Sequence, residues 1–132
     1  MARNEMGASG VLVDTGVLMD YLSGDPRAKQ AMEGHEHRSI SVITWLEIMS
    51  VCPAHARDET LGFLRTFEQL SISESSASEA CRLMAEKPMP LPLNTALTWA
   101  TARANKLMFV TADSKYFDDA DLGVAIPYES TS

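Results

Sequence analysis

Three carboxylates stand where chemistry is expected. Asp14 ends the β-branched run Val11-Leu12-Val13, Asp113 follows the apolar run Met108-Phe109-Val110-Thr111 by one residue, and Glu47 is the only charge in the apolar stretch Ile43 to Val51. In open parallel sheets, sites form in the crevice beyond the carboxyl ends of strands, so acids placed after strands are the ones to inspect. A carboxylate on an apolar helix face needs a cation or strong donors. If the three converge, their mutual repulsion is relieved by a hard divalent cation, which keeps all of them ionised. Mg²⁺ or Mn²⁺ suits such oxygen ligands, and a metal so held activates water for in-line attack on a phosphodiester, the work of a nuclease. Each acid also has an ordinary reading. Asp14 can cap the helix that follows, Asp113 can make an Asx-turn over Ser114-Lys115, and Glu47 can pair with a buried arginine such as Arg103.

The elements that would position these acids alternate along the chain. Strands are expected at Gly10 to Asp14, Arg38 to Val42, Ser71 to Ser73, Leu107 to Thr111 and Val124 to Ile126. Helices are expected over Thr15 to Leu22, Arg27 to Glu33, Ile43 to Val51, Arg57 to Leu70, Ser75 to Lys87 and Thr95 to Lys106, with Asn94 as the N-cap of the last. That order predicts an α/β fold in three layers, a mainly parallel central sheet flanked by helices on both faces.

At 132 residues the chain suits one domain with a core that needs no staples. Its net charge of −7 gives no bulk basic surface for a nucleic-acid coat, although a nucleic acid remains possible as a local substrate. Cys52 and Cys81 form no CxxC pair and are expected to be buried thiols. The first ten residues lack the apolar core of a signal peptide, and no run approaches membrane-spanning length, so the cytoplasm is the expected location. Trp45 and Trp99 read as core, with the indole nitrogen satisfied locally. Arg103 and Lys115 flank the expected site in sequence and are the candidates for steering a phosphate chain.

Four ordered blocks together resemble a PIN domain, and within that family the VapC-like toxin group. They are Val11-Leu12-Val13-Asp14-Thr15-Gly16-Val17-Leu18-Met19-Asp20-Tyr21-Leu22, then Ile40-Ser41-Val42-Ile43-Thr44-Trp45-Leu46-Glu47-Ile48, then Ala96-Leu97-Thr98-Trp99-Ala100-Thr101-Ala102, then Val110-Thr111-Ala112-Asp113-Ser114-Lys115-Tyr116-Phe117. The resemblance runs from 11 to 128, leaving a polar lead at 1–10 and a tail at 129–132. It implies a Mg²⁺- or Mn²⁺-dependent ribonuclease acting on tRNA or rRNA. It also implies the toxin half of a bacterial toxin–antitoxin pair, dimeric and silenced by a VapB-like antitoxin. The family's acids fall on Asp14, Glu47 and Asp113, and its neighbouring hydroxyl positions on Thr15 and Thr111.

The chain departs from the family at Thr95, where an Asp usually precedes the Ala-Leu block. Thr95 can still hydrogen-bond a bound water and Asn94 carries a carbonyl, but neither supplies charge. Asp118, Asp119 and Asp121 are weaker candidates to compensate. The expectation is one metal at Asp14, Glu47 and Asp113, held with reduced affinity. The alternative is a PIN-like module that binds an antitoxin or RNA without cutting. A phosphatase with an aspartyl nucleophile fits Asp14 but not Gly16 and Leu18, which stand where such enzymes carry an acid and a threonine.

Overall fold

The computed structural model describes residues 10–118 and 120–130. Five parallel strands form one sheet: β1 (Val11–Val13), β2 (Arg38–Ser41), β3 (Glu68–Leu70), β4 (Met108–Val110) and β5 (Val124–Ala125), in the order β3-β2-β1-β4-β5. Among the described residues six α-helices, with a short 3-10 turn at Ala54–Ala56, connect and flank them: α1 (Thr15–Leu22), α2 (Pro26–Glu33), α3 (Val42–Val51), α4 (Arg57–Leu64), α5 (Glu74–Glu86) and α6 (Leu93–Ala104). The expected α/β architecture is what the chain adopts.

β1 is central because all three of its residues are apolar and buried, the mark of a strand covered on both faces. Successive side chains point to opposite sides, and the core divides accordingly. Val11 and Val13 join Val17, Leu18, Ile40, Ile48 and Leu64 on one side of the sheet. Leu12 joins Leu83, Trp99, Ala100, Phe109 and Phe117 on the other, beneath α5 and α6. The start of β1 lies close to the segment entering β2: a Cβ on Gly10 would come within 2.6 Å of the His37 carbonyl oxygen, so only glycine fits there.

Four local expectations are corrected. The helix expected over Arg57 to Leu70 ends at Leu64, and Glu68–Leu70 becomes β3, paired with β2 in the register Ser39 with Glu68. Leu61, Leu64 and Phe67 have helical spacing, but the chain turns at Thr66, whose hydroxyl donates to the Phe63 carbonyl at 2.7 Å. No strand forms at Ser71 to Ser73; Ser73 instead caps α5 by accepting from the Ser76 N–H. The last long helix starts at Leu93 with Pro92 as its cap, which places Asn94 inside the first turn.

The side-chain expectations also divide. Cys52 is half-buried, its thiol 3.3 Å from the Thr60 hydroxyl, whereas Cys81 is exposed on α5. Trp99 is core, packed edge-on to Phe117, but among the described residues its indole nitrogen is buried with no hydrogen-bond partner. Trp45 is only partly buried.

Candidate active site

The register of the central strands brings the site together. Val13 pairs with Val110, so the residues that follow, Asp14 and Thr111, emerge side by side at the carboxyl edge of the sheet. This edge lies where the strand order departs in two directions, β1 to β2 on one side and β1 to β4 on the other, the position where open parallel sheets form crevices. A pocket of about 420 Å³ opens there. Asp14, Glu47 and Asp113 all line it, as do Thr15, Asn94 and Thr95.

Asp14 caps α1, with Oδ1 accepting from the Thr15 N–H at 2.8 Å. Its other oxygen, Oδ2, accepts from the Thr111 hydroxyl at 2.8 Å. The Thr111 oxygen in turn accepts from the Asp113 N–H at 3.1 Å, so one buried hydroxyl orients two of the acids. Asp113 accepts from the Lys115 N–H at 3.3 Å, which is the Asx-turn considered from the sequence. The ordinary readings of Asp14 and Asp113 hold alongside their place in the pocket.

Glu47 reaches the pocket from α3. Its Oε1 accepts from the Thr15 hydroxyl at 2.7 Å and its Oε2 from the Asn94 amide at 2.6 Å. Beneath it lies a run of hydroxyls that starts at Thr15, named from the sequence, and continues through Thr44, Ser41 and Thr98, which sequence reasoning missed. Thr15 Oγ1 is 2.8 Å from Thr44 Oγ1, and Ser41 Oγ lies 3.4 Å from Thr44 and 3.3 Å from Thr98. Ser41, Thr44 and Thr98 are buried. The available signal was Thr44, a hydroxyl three residues before Glu47 and therefore on the same face of a helix otherwise rich in apolar residues.

Two expectations fail here. Asn94 is not the helix cap but a donor to Glu47. Arg103 neither pairs with Glu47 nor lines the pocket: it lies nine residues further along α6, roughly 13 Å at 1.5 Å per residue. There it donates to Glu79 and to the Leu122 carbonyl. Lys115 does line the pocket. Of the acids considered as replacements for the missing charge, Asp121 is committed to Lys87 at 2.8 Å and Asp118 accepts from the Ala120 N–H at 2.8 Å, while Asp119 lies outside the described residues.

Burial pushes the Asp14 carboxyl up from 3.8 to about 6, against the lowering effect of its Thr111 and Thr15 hydrogen bonds, and the negative charges of Asp113 and Glu47 add to the rise. A carboxyl so placed gains from a nearby cation. The donor set is all oxygen, which suits Mg²⁺ or Mn²⁺ rather than a softer metal. Each carboxylate oxygen that accepts one hydrogen bond keeps a second lone pair for a ligand. The three acids thus fit a hard divalent ion in chemistry, although among the described residues no three acidic, histidine or cysteine side chains are gathered closely enough to hold a metal as they stand.

An α/β domain with acids from β1, α3 and the end of β4 around one crevice is the architecture of a PIN domain, and the PIN domain family model matches residues 11–122. The chain belongs to that family. Its fold is similar to a chain of a toxin–antitoxin complex from Klebsiella pneumoniae, 36% identical, with a TM-score of 0.83 over 91% of this chain and 99% of that one. It is also similar to a chain of DNA-bound VapBC from Salmonella typhimurium at 18% identity, with a TM-score of 0.74 over 89% of this chain and 96% of that one. A third similar structure is FitAcB from Neisseria gonorrhoeae, at 22% identity, with a TM-score of 0.70 over 89% and 97% of the two chains. The last two likenesses show the fold alone; the first, at 36% identity, is to a chain of a toxin–antitoxin complex. No curated protein sequence gave a significant match.

Proposed function

We propose that the protein is a divalent-metal-dependent endoribonuclease, the toxin component of a bacterial toxin–antitoxin pair. The observation that carries the reading is the meeting of Asp14, Glu47 and Asp113 in one crevice at the carboxyl edge of the sheet. A Mg²⁺ or Mn²⁺ ion held by these residues would supply an activated water and offset the charge that develops on a phosphodiester.

The chain's own groups prepare that site. Thr111 fixes Asp14 and the Asp113 backbone in one arrangement, and Thr15 with Asn94 fixes the Glu47 carboxylate. Lys115 stands at the pocket as the local positive group for an RNA phosphate on an acidic chain. Thr95 offers its hydroxyl to a bound water but no charge.

Partners follow from the same reading. The similar structures are toxin–antitoxin complexes, and Leu22, Leu46 and Val51 are exposed at 42%, 53% and 65% on α1 and α3. Such apolar surface supports cover by a VapB-like antitoxin, with the toxin itself a homodimer. Among the described residues no helix is long and apolar enough to cross a membrane, and a cytoplasmic site of action accords with an RNA substrate of the tRNA or rRNA class.

A second reading is favoured by one observation, the neutral Asn94 and Thr95 at the start of α6 where the family usually supplies an acid. In that reading the domain holds an antitoxin or RNA without cutting it. Cleavage of a mixed tRNA and rRNA pool in EDTA, Mg²⁺ or Mn²⁺, beside Asp14→Asn, separates the two. The nuclease cuts only with metal and loses activity in the variant; a binding module never cuts.

A further inference from the structure

After β5 the chain turns at Pro127 and passes back beside the pocket. Tyr128, Glu129 and Ser130 each make a bond that ties this stretch to a different part of the site's frame. The Tyr128 hydroxyl donates to Asp20 Oδ2 on α1 at 2.7 Å. The Arg27 guanidinium lies 4.8 Å over the Tyr128 ring and is itself fixed by Asp25, the N-cap of α2, at 2.8 Å. Glu129 Oε1 accepts from the Ser114 hydroxyl at 3.1 Å. The Ser130 N–H donates to the Ala112 carbonyl at 2.8 Å.

Ala112 and Ser114 are the two neighbours of Asp113. Both are therefore held by the same three-residue stretch, one through its backbone and the other through its side chain, while Tyr128 anchors that stretch to α1. Ser130 lines the pocket together with Ala112, Asp113 and Ser114. Residues 128–130 lie beyond the stretch that the family model matches, which ends at 122.

We infer that residues 128–130 form a strap that positions Asp113, with Tyr128 and Glu129 as its positioning residues. The part that concerns metal rests on the nuclease reading above; the part that concerns the loop does not. An acid on a short loop ligates well only if the loop is held, and the two bonds to Ala112 and Ser114 restrict the backbone on either side of Asp113.

The test uses the whole protein and the variants Tyr128→Phe, Glu129→Ala and Glu129→Gln. Amide hydrogen exchange is followed over 111–116, and Mn²⁺ binding by the spin resonance of the free ion. Loss of one hydrogen bond should weaken Mn²⁺ binding by about two- to tenfold in Tyr128→Phe and Glu129→Ala. Exchange over 112–116 should rise, while exchange in α5 stays near wild type and the melting temperature falls by no more than about 4 °C. Glu129→Gln keeps an oxygen acceptor for Ser114 and should restore both readouts. Unchanged exchange over 112–116 in both disruptive variants overturns the strap. Raised exchange with unchanged Mn²⁺ affinity overturns its positioning of Asp113 as a ligand. If the wild type binds no Mn²⁺, the nuclease reading fails, and exchange alone decides whether the strap holds the loop.

Discussion

Replacing Asp14 with Asn should make the protein more stable at neutral pH in the absence of metal. The carboxyl is displaced from 3.8 to about 6, so between those values the folded state binds more protons than the unfolded state and stability falls as pH rises. Above the upper value the ionised group costs about 3 kcal/mol, at 1.36 kcal/mol for each pKa unit. Asn carries no charge but has one acceptor oxygen instead of two. It can accept from the Thr15 N–H or from the Thr111 hydroxyl, not both, and the lost bond costs about 1 kcal/mol. The net gain is about 1–2 kcal/mol, or roughly 4–7 °C in melting temperature for a domain of this size. Urea unfolding in EDTA from pH 4 to pH 8 reads it directly. The variant should lead at pH 7.5, lose its lead as the pH falls through the window, and trail by pH 4. Other titrating groups, including Glu79, occur in both proteins and cancel in the difference. A gap between the two curves that is independent of pH would refute the reasoning, as would a variant less stable than wild type at pH 7.5.

Thr95→Asp should restore an acid at the mouth of the pocket and lower the Mg²⁺ concentration needed for half-maximal RNA cleavage; a Mg²⁺ titration that superimposes on the wild type would show that Thr95 is not the weak point. Glu79 joins Arg82 on its own helix to Arg103 on α6, and those arginines hold its carboxyl down at about 2. Its contribution should therefore be present at neutral pH and disappear as pH falls from about 4.5 towards 2, and Glu79→Gln should cost about 0.5–1 kcal/mol at pH 7 by thermal unfolding, less in high salt. Leu83→Ala, in the core layer beneath α5, should cost about 2–5 kcal/mol by the same measurement without changing metal dependence.

The strands that carry Asp14 and Asp113 were legible because their signals are local: buried apolar runs that stop at an acid. The same was true of Glu47, a single charge on an apolar helix. What sequence did not show was contact made across elements. Asn94 looked like a cap because its type favours caps, yet Pro92 takes that position and the first turn of α6 aims the amide at Glu47 from 47 residues away. Arg103 was near the site in sequence and far from it along the helix axis. β3 was hidden inside a helical period, since Leu61, Leu64 and Phe67 satisfy a helix while the pairing that makes Glu68–Leu70 a strand comes from β2, roughly 30 residues earlier. The strap at 128–130 carries no motif at all; its meaning lies in its partners at Asp20, Ala112 and Ser114.

The pairing of β1 with β4 also sets an order in time. The bond between Thr111 and Asp14 joins residues 97 positions apart, so the crevice cannot close while the ribosome is still making the middle of the chain. Asp14 emerges first and waits, exposed to solvent, until β4 arrives with Thr111 and Asp113. A chain that stops after α5 has two acids and no third, and lacks the hydroxyl that aligns them. On the nuclease reading proposed above, a chain that ends before β4 therefore has no complete site and cuts nothing.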